Sequence, residues 1–300
     1  MKVTLDITRL LSEGKITQAE FNRLSLLSEA GTGSLAFNIL VGFGVVAVSA
    51  GLIALVPNEV TGIIVGGGIL AAGIGLIVAG LKQWSVLAQI CVLIGALMLG
   101  GGIVMLSDAS VPAFLGITFA YGALGVLAGS GLLVALSVLA LSSAIGARTG
   151  YEHATYFLGI EEPAITVVLF TVVAIALYLV SKRLTHPYER LAIIASRTAL
   201  LLVNFGFWIG SLWGDTVQGR EIPDMVFIVG WALALLGAGY WAAQANRPWV
   251  LNAAAVFGAI HFYTQFFERL GPNPAAILVG GLIALGLAFA FWKLNQHRLA

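Results

Sequence analysis

Three polar residues recur every seven positions inside one long apolar run of the sequence. They are Arg197, Asn204 and Ser211. Because seven steps of about 100° fall only about 20° short of two full turns, these side chains share one face of a helix. A polar group is costly in apolar surroundings, so we expect this face to line a polar cavity or to bond a neighbouring helix. Arg197 has a third option, since a long side chain near a helix end can extend its charged head to water.

A second polar face follows in a later apolar run. His261 and Gln265 are four residues apart, which is one helical turn. A polar side chain between apolar helices commonly makes an interhelical hydrogen bond, and this is the simplest role for His261. The alternative is one polar cavity shared by both faces. Its candidate residues are Arg197, Asn204, Ser211, His261 and Gln265.

Known catalytic motifs are missing from the sequence. It contains no H-E-x-x-H, C-x-x-C, G-x-S-x-G or P-loop Gly-Lys-Ser/Thr pattern. The four histidines belong to four different regions, and Cys91 is the one cysteine. Fifteen basic and 14 acidic residues give a net charge of +1, which does not suit nucleic-acid binding. The sequence therefore predicts no enzyme, no cofactor or metal, and no nucleic-acid partner.

The composition of the chain indicates which elements carry these residues. Of its 300 residues, 59% are hydrophobic and only 10% are charged, whereas a soluble domain is about 25% charged. A membrane-spanning helix needs about 20 apolar residues, and the apolar runs have this length. They predict an all-α polytopic helix bundle of about ten transmembrane helices over residues 34–300, with the lipid bilayer as its surroundings. The predicted spans are 35–56, 61–81, 84–106, 111–128, 130–147, 163–181, 191–213, 223–243, 248–267 and 274–292.

The stretch 111–147 decides the number of spans. It is too long for one helix, and Gly129-Ser130-Gly131 near its middle permits a tight reversal. With ten spans and both termini in the cytoplasm, eleven Lys and Arg lie on the cytoplasmic side. Only three lie opposite, namely Arg148, Arg220 and Arg269. This bias fits the positive-inside rule. The alternative keeps 111–128 as a re-entrant segment, with eight or nine true spans.

Glycine patterns carry two further expectations. The pairs Gly62/Gly66, Gly125/Gly129 and Gly206/Gly210 predict close helix approach. The triplets 66–68 and 100–102 have two interpretations. They could mark bent or broken helices of the kind that transporters use at binding sites, or they could be chance clusters among 37 glycines.

Residues 1–33 form the one sizeable soluble segment, and we predict a cytoplasmic amphipathic helical hairpin there. Thr17 and Glu20 have the spacing of a capping box at the start of the second helix. About 30 residues cannot bury much of a core alone. The apolar face is therefore expected to dock on the membrane surface, on the spans, or on a cytoplasmic protein partner.

Both ends of the chain resemble one family. "LLSEGKITQAEFNRL" near the start, and "NRPWVLNAAAVFGAIHFYTQFFERLG" with "PAAILVGGLIALGLAFAFWK" near the end, are similar to a bacterial family of multi-pass membrane proteins of unknown function, domain-of-unknown-function family 2157. The final tail departs from it in having few basic residues. The resemblance implies a bacterial cytoplasmic (inner) membrane and brings no activity with it.

Two functions remain open on the sequence. The first is a non-enzymatic scaffold or sensor whose N-terminal hairpin binds a cytoplasmic partner. The alternative is a small-solute or ion transporter or channel, with a polar cavity lined by the seventh and ninth spans. The sequence leaves a homo-oligomer open.

Overall fold

The computed structural model describes residues 7–27, 32–55, 58–81, 84–152, 155–217, 219–271, 273–283 and 285–286. These residues are predominantly helical, and the chain forms two compact units, residues 1–134 and 135–300. Six described helices are long and apolar enough to cross a membrane. The all-α membrane-bundle prediction is therefore confirmed in its coarser form, and the count of ten spans stays a prediction.

The first unit begins with two short helices, α1 (Ile7–Ser12) and α2 (Gln18–Leu27), which pack against each other. The predicted capping box at the start of α2 is formed. The backbone N–H of Thr17 donates to Glu20 Oε2 at 2.8 Å, and the N–H of Glu20 donates to Thr17 Oγ1 at 3.3 Å. The backbone N–H and then the hydroxyl of Thr17 hold the pKa of Glu20 below its ordinary value. The stabilisation from this carboxylate is therefore present at neutral pH and lost as the pH falls through the lowered pKa. Residues 1–6 and 28–31 of the predicted hairpin lie outside the described residues.

Five more helices follow along the chain, and each overlaps one predicted span: α3 (Thr32–Leu55), α4 (Glu59–Val78), α5 (Ser85–Leu106), α6 (Val111–Leu127) and α7 (Gly131–Ala144). The boundary between the two units falls within α7. Asn58 caps α4, because its Oδ1 accepts the backbone N–H of Thr61 at 2.7 Å. The predicted reversal in 111–147 is present, since α6 and α7 are separate helices and Gly129 has a φ of +63°. α7 has only 14 residues, or about 21 Å. That is less than the roughly 30 Å of a hydrocarbon core.

Glycine builds the contact between α4 and α5. A Cβ added to Gly66 would lie 2.6 Å from the backbone N of Leu99, and one added to Gly95 would collide with the backbone N of Leu70. The two helix backbones therefore touch, as the pair Gly62/Gly66 predicts. Neither triplet breaks its helix, because α4 and α5 run unbroken through residues 66–68 and 100–102.

The second unit holds α8 (Pro163–Ser181), α9 (His186–Trp213), α10 (Asp224–Gln244), α11 (Pro248–Leu270) and α12 (Pro274–Ile283). α9 begins five residues before its predicted span, because Thr185 is extended at the N-cap and Pro187 fits the first turn. Most of the rest of the predicted span 274–292 lies outside the described residues.

Two short antiparallel β-hairpins connect helices of the second unit where the hydropathy pattern predicts loops. One pairs β1 (Ala147–Glu152) with β2 (Thr155–Ile160). Because β1 begins at Ala147, α7 ends at Ala144 and not at residue 147, the predicted end of that span. The other pairs β3 (Asp215–Val217) with β4 (Arg220–Ile222). Asp215 at the start of β3 is bonded to another element, because its Oδ2 accepts the backbone N–H of Ala164 at 2.7 Å. This bond satisfies an otherwise free donor at the start of α8.

Candidate functional site

Three helices of the second unit meet at Trp231 of α10. This side chain is fully buried, and its indole Nε1–H donates to Asn204 Oδ1 of α9 at 3.0 Å. The His261 ring of α11 lies 4.9 Å from the Trp231 ring, centroid to centroid, at an interplanar angle of 70°. We call Asn204, Trp231 and His261 the Trp231 cluster. The second polar face predicted from the sequence therefore meets the first through an aromatic ring on a third helix.

A second polar link joins α9 directly to α11. Trp208 Nε1–H donates to Thr264 Oγ1 at 3.1 Å. Close by along both helices, the rings of Phe205 and Phe257 are 5.8 Å apart in an edge-to-face arrangement. Helices α9 and α11 thus pack through both a hydrogen bond and an aromatic contact.

Two polar atoms on α11 are buried with no hydrogen-bond partner in the described part of the chain. They are His261 Nδ1 and Gln265 Nε2, one helical turn apart. The expected interhelical hydrogen bond of His261 is therefore not made through Nδ1, and its contact with α10 is ring to ring. A buried unpartnered donor or acceptor costs about 1–3 kcal/mol, so an additional polar group that bonded to either atom would recover part of this cost.

The remaining polar residues of α9 bond to nearby backbone. Asn204 Nδ2 donates to the carbonyl of Leu200 at 2.8 Å, and the buried Ser211 hydroxyl donates to the carbonyl of Trp208 at 2.7 Å. Ser196, which lies outside the heptad spacing, donates to the carbonyl of Ala174 on α8 at 2.8 Å. Ser196 therefore links α9 to α8, whereas Asn204 Nδ2 and the Ser211 hydroxyl are satisfied by the backbone of α9 itself.

Arg197 lies apart from the Trp231 cluster. Its side chain is exposed, and its Cζ is 4.9 Å from the centre of the Trp249 ring. It lines a shallow polar pocket of about 300 Å³ beside His186, Glu189 and Arg190 near the start of α9. Seven residues of helix separate Arg197 from Asn204 by about 10 Å. The shared face therefore does not become a shared cavity, and the long arginine side chain extends towards the helix end.

The pocket that does contain Asn204 is nearly all apolar. It has a volume of about 380 Å³ and lies between α8, α9, α10 and α11. Its polar side chains are Thr171, Asn204 and Trp231; the others are apolar, such as Val203 and Leu235. Of the five candidate cavity residues, only Asn204 lines it. Asn204 and His261 thus both contact Trp231, but His261 lies outside this pocket, as do Arg197, Ser211 and Gln265.

A further pocket of about 400 Å³ lies at the end of the second unit where α8 ends and α9 begins. We call it the end pocket; it is lined by Tyr178, Lys182, Trp241 and Trp249, with apolar side chains below them. Lys182 Nζ lies 4.7 Å, and Arg247 Cζ 5.5 Å, from the centre of the Tyr178 ring. The spacing of polar residues within the spans does not predict this site. The signal in the sequence that could have found it is the presence of basic and aromatic residues together at the ends of neighbouring spans.

In the ranges that the structure describes, no three His, Cys, Asp or Glu side chains are close enough to share a metal ion. Comparison of the chain with protein-family models, with curated proteins and with solved structures finds no match.

Proposed function

We propose that this chain is a non-enzymatic scaffold or sensor of the bacterial inner membrane, related to domain-of-unknown-function family 2157, whose N-terminal helices bind a cytoplasmic protein. The observation that carries the proposal is the α1–α2 pair. The start of its second helix is fixed by the capping box between Thr17 and Glu20. Its described apolar side chains are nevertheless only partly covered: Leu24 is exposed, and Ile7, Leu10, Leu11, Ile16 and Phe21 are half-buried. An ordered element with a partly exposed apolar face suits a binding role.

Site-directed photo-crosslinking tests this role in the full-length protein in its host. A photoreactive residue in place of Leu24 should crosslink to another protein. The matched control is the same residue in place of Asn22, which lies about 160° around the helix and should not crosslink. Crosslinks to lipid alone at Leu24, or equal crosslinking at both positions, would contradict partner binding. Deletion of residues 1–30 should abolish the crosslinked partner's recovery with the protein.

The proposed topology predicts a labelling pattern for single cysteines in a Cys91→Ala background. Leu184→Cys in the exposed connection between α8 and α9, and Ser130→Cys between α6 and α7, should react with impermeant thiol reagents from the cytoplasm. Asp108→Cys between α5 and α6 should react from the outside. If Ser130→Cys reacted from the outside or from neither side, segments 111–128 and 130–147 would form a re-entrant pair and not two spans. Leu184→Cys and Asp108→Cys on one side would overturn the ten-span topology.

The transporter alternative has one observation in its favour, the unpartnered His261 Nδ1 and Gln265 Nε2. Polar atoms of this kind within spans often face a substrate path. The same labelling series tests it. A cysteine at the buried Asn204 should stay unreactive towards a small water-soluble reagent if the adjoining apolar pocket is dry, and rapid reaction there would favour the transporter.

A further inference from the structure

We infer that the end pocket binds an anionic phospholipid of the surrounding membrane, with the phosphate beside Lys182 and Arg247 and an acyl chain in the groove between the helices. The site is separate from the α1–α2 pair and does not depend on the proposed scaffold function. Three observations on charge, shape and access carry it.

Two cations lie at the end pocket: Lys182 lines it, and Arg247 lies beside it against the ring of Tyr178. Among the residues that the structure describes, neither Lys182 nor Arg247 forms an ion pair, and both lie against the ring of Tyr178. Arg197 is likewise held by the ring of Trp249, which also lines the pocket. Aromatic rings fix these positive heads without neutralising them. An anion at this end would therefore find positive charge that is already positioned.

The groove continues from the cations towards the middle of the helices. The end pocket and the pocket at Asn204 share Ala174, Ile175, Leu200, Ala238 and Val250 as lining residues. On α8 the shared groove runs from Lys182 back to Thr171, which is about 16 Å at 1.5 Å per residue. Its walls are almost all apolar, and the hydroxyl of Ser196 is already bonded to the carbonyl of Ala174. A long apolar groove with charge at one end matches an amphiphile better than a soluble solute.

The groove also opens to the outside of the helices. Ile175 and Leu179 line it and are each more than half exposed. Both belong to α8, a helix long and apolar enough to span the membrane, so the opening faces lipid chains. Basic pockets between spans on the cytoplasmic side are typical sites for anionic headgroups, and the positive-inside count predicts that this end is cytoplasmic.

Native mass spectrometry of the full-length protein in detergent tests the site directly. Phosphatidylglycerol and phosphatidylcholine with identical acyl chains are titrated, and phosphatidylglycerol should bind more tightly. Lys182→Gln and Arg247→Gln should each weaken its binding about fivefold, and the double variant about 25-fold. Arg183→Gln removes the same charge one residue from Lys182, but in the described structure Arg183 neither lines the pocket nor lies against one of its rings. It should change binding less than twofold. Equal losses for Lys182→Gln and Arg183→Gln would mean that only the general surface charge acts, and would overturn the site.

A second pair of variants tests the groove. Ala238→Leu fills the part shared by both pockets and should abolish binding of both lipids, whereas Ala243→Leu, on an exposed position of the same helix, should not. Equal affinity for the two lipids would overturn the headgroup part of the inference. If millimolar inorganic phosphate displaced phosphatidylglycerol and Ala238→Leu left phosphatidylglycerol binding unchanged, the site would be one for a soluble anion. That result would overturn the assignment of a lipid.

Discussion

Gly66→Ala should destabilise the first unit strongly, while Gly67→Ala one residue along should not. The added Cβ at Gly66 would lie 2.6 Å from the backbone N of Leu99 and 2.9 Å from the carbonyl oxygen of Gly95. Backbone atoms cannot rotate away as a side chain can, so α4 and α5 must separate. Overpacking of this kind costs about 1–3 kcal/mol or more. Thermal unfolding of the full-length protein in detergent should show a midpoint lower by about 5 °C or more.

The chain supplies a control on the same helix. Nothing described lies within 4 Å of a Cβ built on Gly67, and alanine is the better helix former. Gly67→Ala should therefore leave the midpoint unchanged or raise it slightly. Gly95→Ala and Gly101→Ala repeat the comparison on α5, since Gly95 faces the backbone of Leu70 and Gly101 faces open space. Equal midpoints for Gly66→Ala and Gly67→Ala would show that the two helices are not in backbone contact.

The positions of the helices could be predicted from the sequence because local features set them. The predicted span 163–181 coincides with α8, where Pro163 starts the helix. The split of 111–147 follows from Gly129, whose φ of +63° other residues rarely adopt. In each case an apolar run and its terminating residue lie together in the chain, so no long-range information was needed.

The β-hairpins lie in segments that hydropathy alone marks only as connections between apolar runs. The β2 segment Thr155–Ile160 is rich in aromatic and β-branched residues, which favour strands, but a search for membrane spans does not weigh that preference. The role of Asp215 could not be predicted for a different reason. Its bond to the backbone of Ala164 joins residues 51 positions apart, and local sequence does not specify such a contact.

The candidate site could be predicted only in part for the same reason. Heptad spacing correctly placed Asn204 on a packed face of α9, where it is buried. Its partner, Trp231, lies on α10 and is one aromatic residue among many in an apolar run. Nothing in the spacing shows which neighbouring helix will present that ring. Arg197 shares the face of Asn204, but helical periodicity does not predict how far along the bundle a cavity extends.

Trp231→Ala should strongly destabilise the second unit. The side chain is fully buried, donates to Asn204 Oδ1 and contacts the His261 ring. Truncation of a buried Trp costs about 3–5 kcal/mol, and it also leaves Asn204 Oδ1 without its indole donor. The free energy of unfolding, measured by denaturation in mixed micelles, should fall by this amount. Trp213→Ala is the control, because that side chain is 75% exposed and its loss should change the free energy little.

Two further variants separate the contribution of the Trp231–Asn204 hydrogen bond from that of the lost side-chain volume. Trp231→Phe removes the indole N–H and keeps an aromatic ring, and Asn204→Leu removes the acceptor. Because hydrogen bonds between membrane helices average about 0.6 kcal/mol and reach about 1.7, each single change should destabilise the protein less than Trp231→Ala. The double variant should lose less free energy than the sum of the two, since both remove the same bond. Strict additivity would mean that Asn204 and Trp231 are not bonded. A Trp231→Ala effect no larger than that of Trp213→Ala would mean that α10 does not pack through this ring.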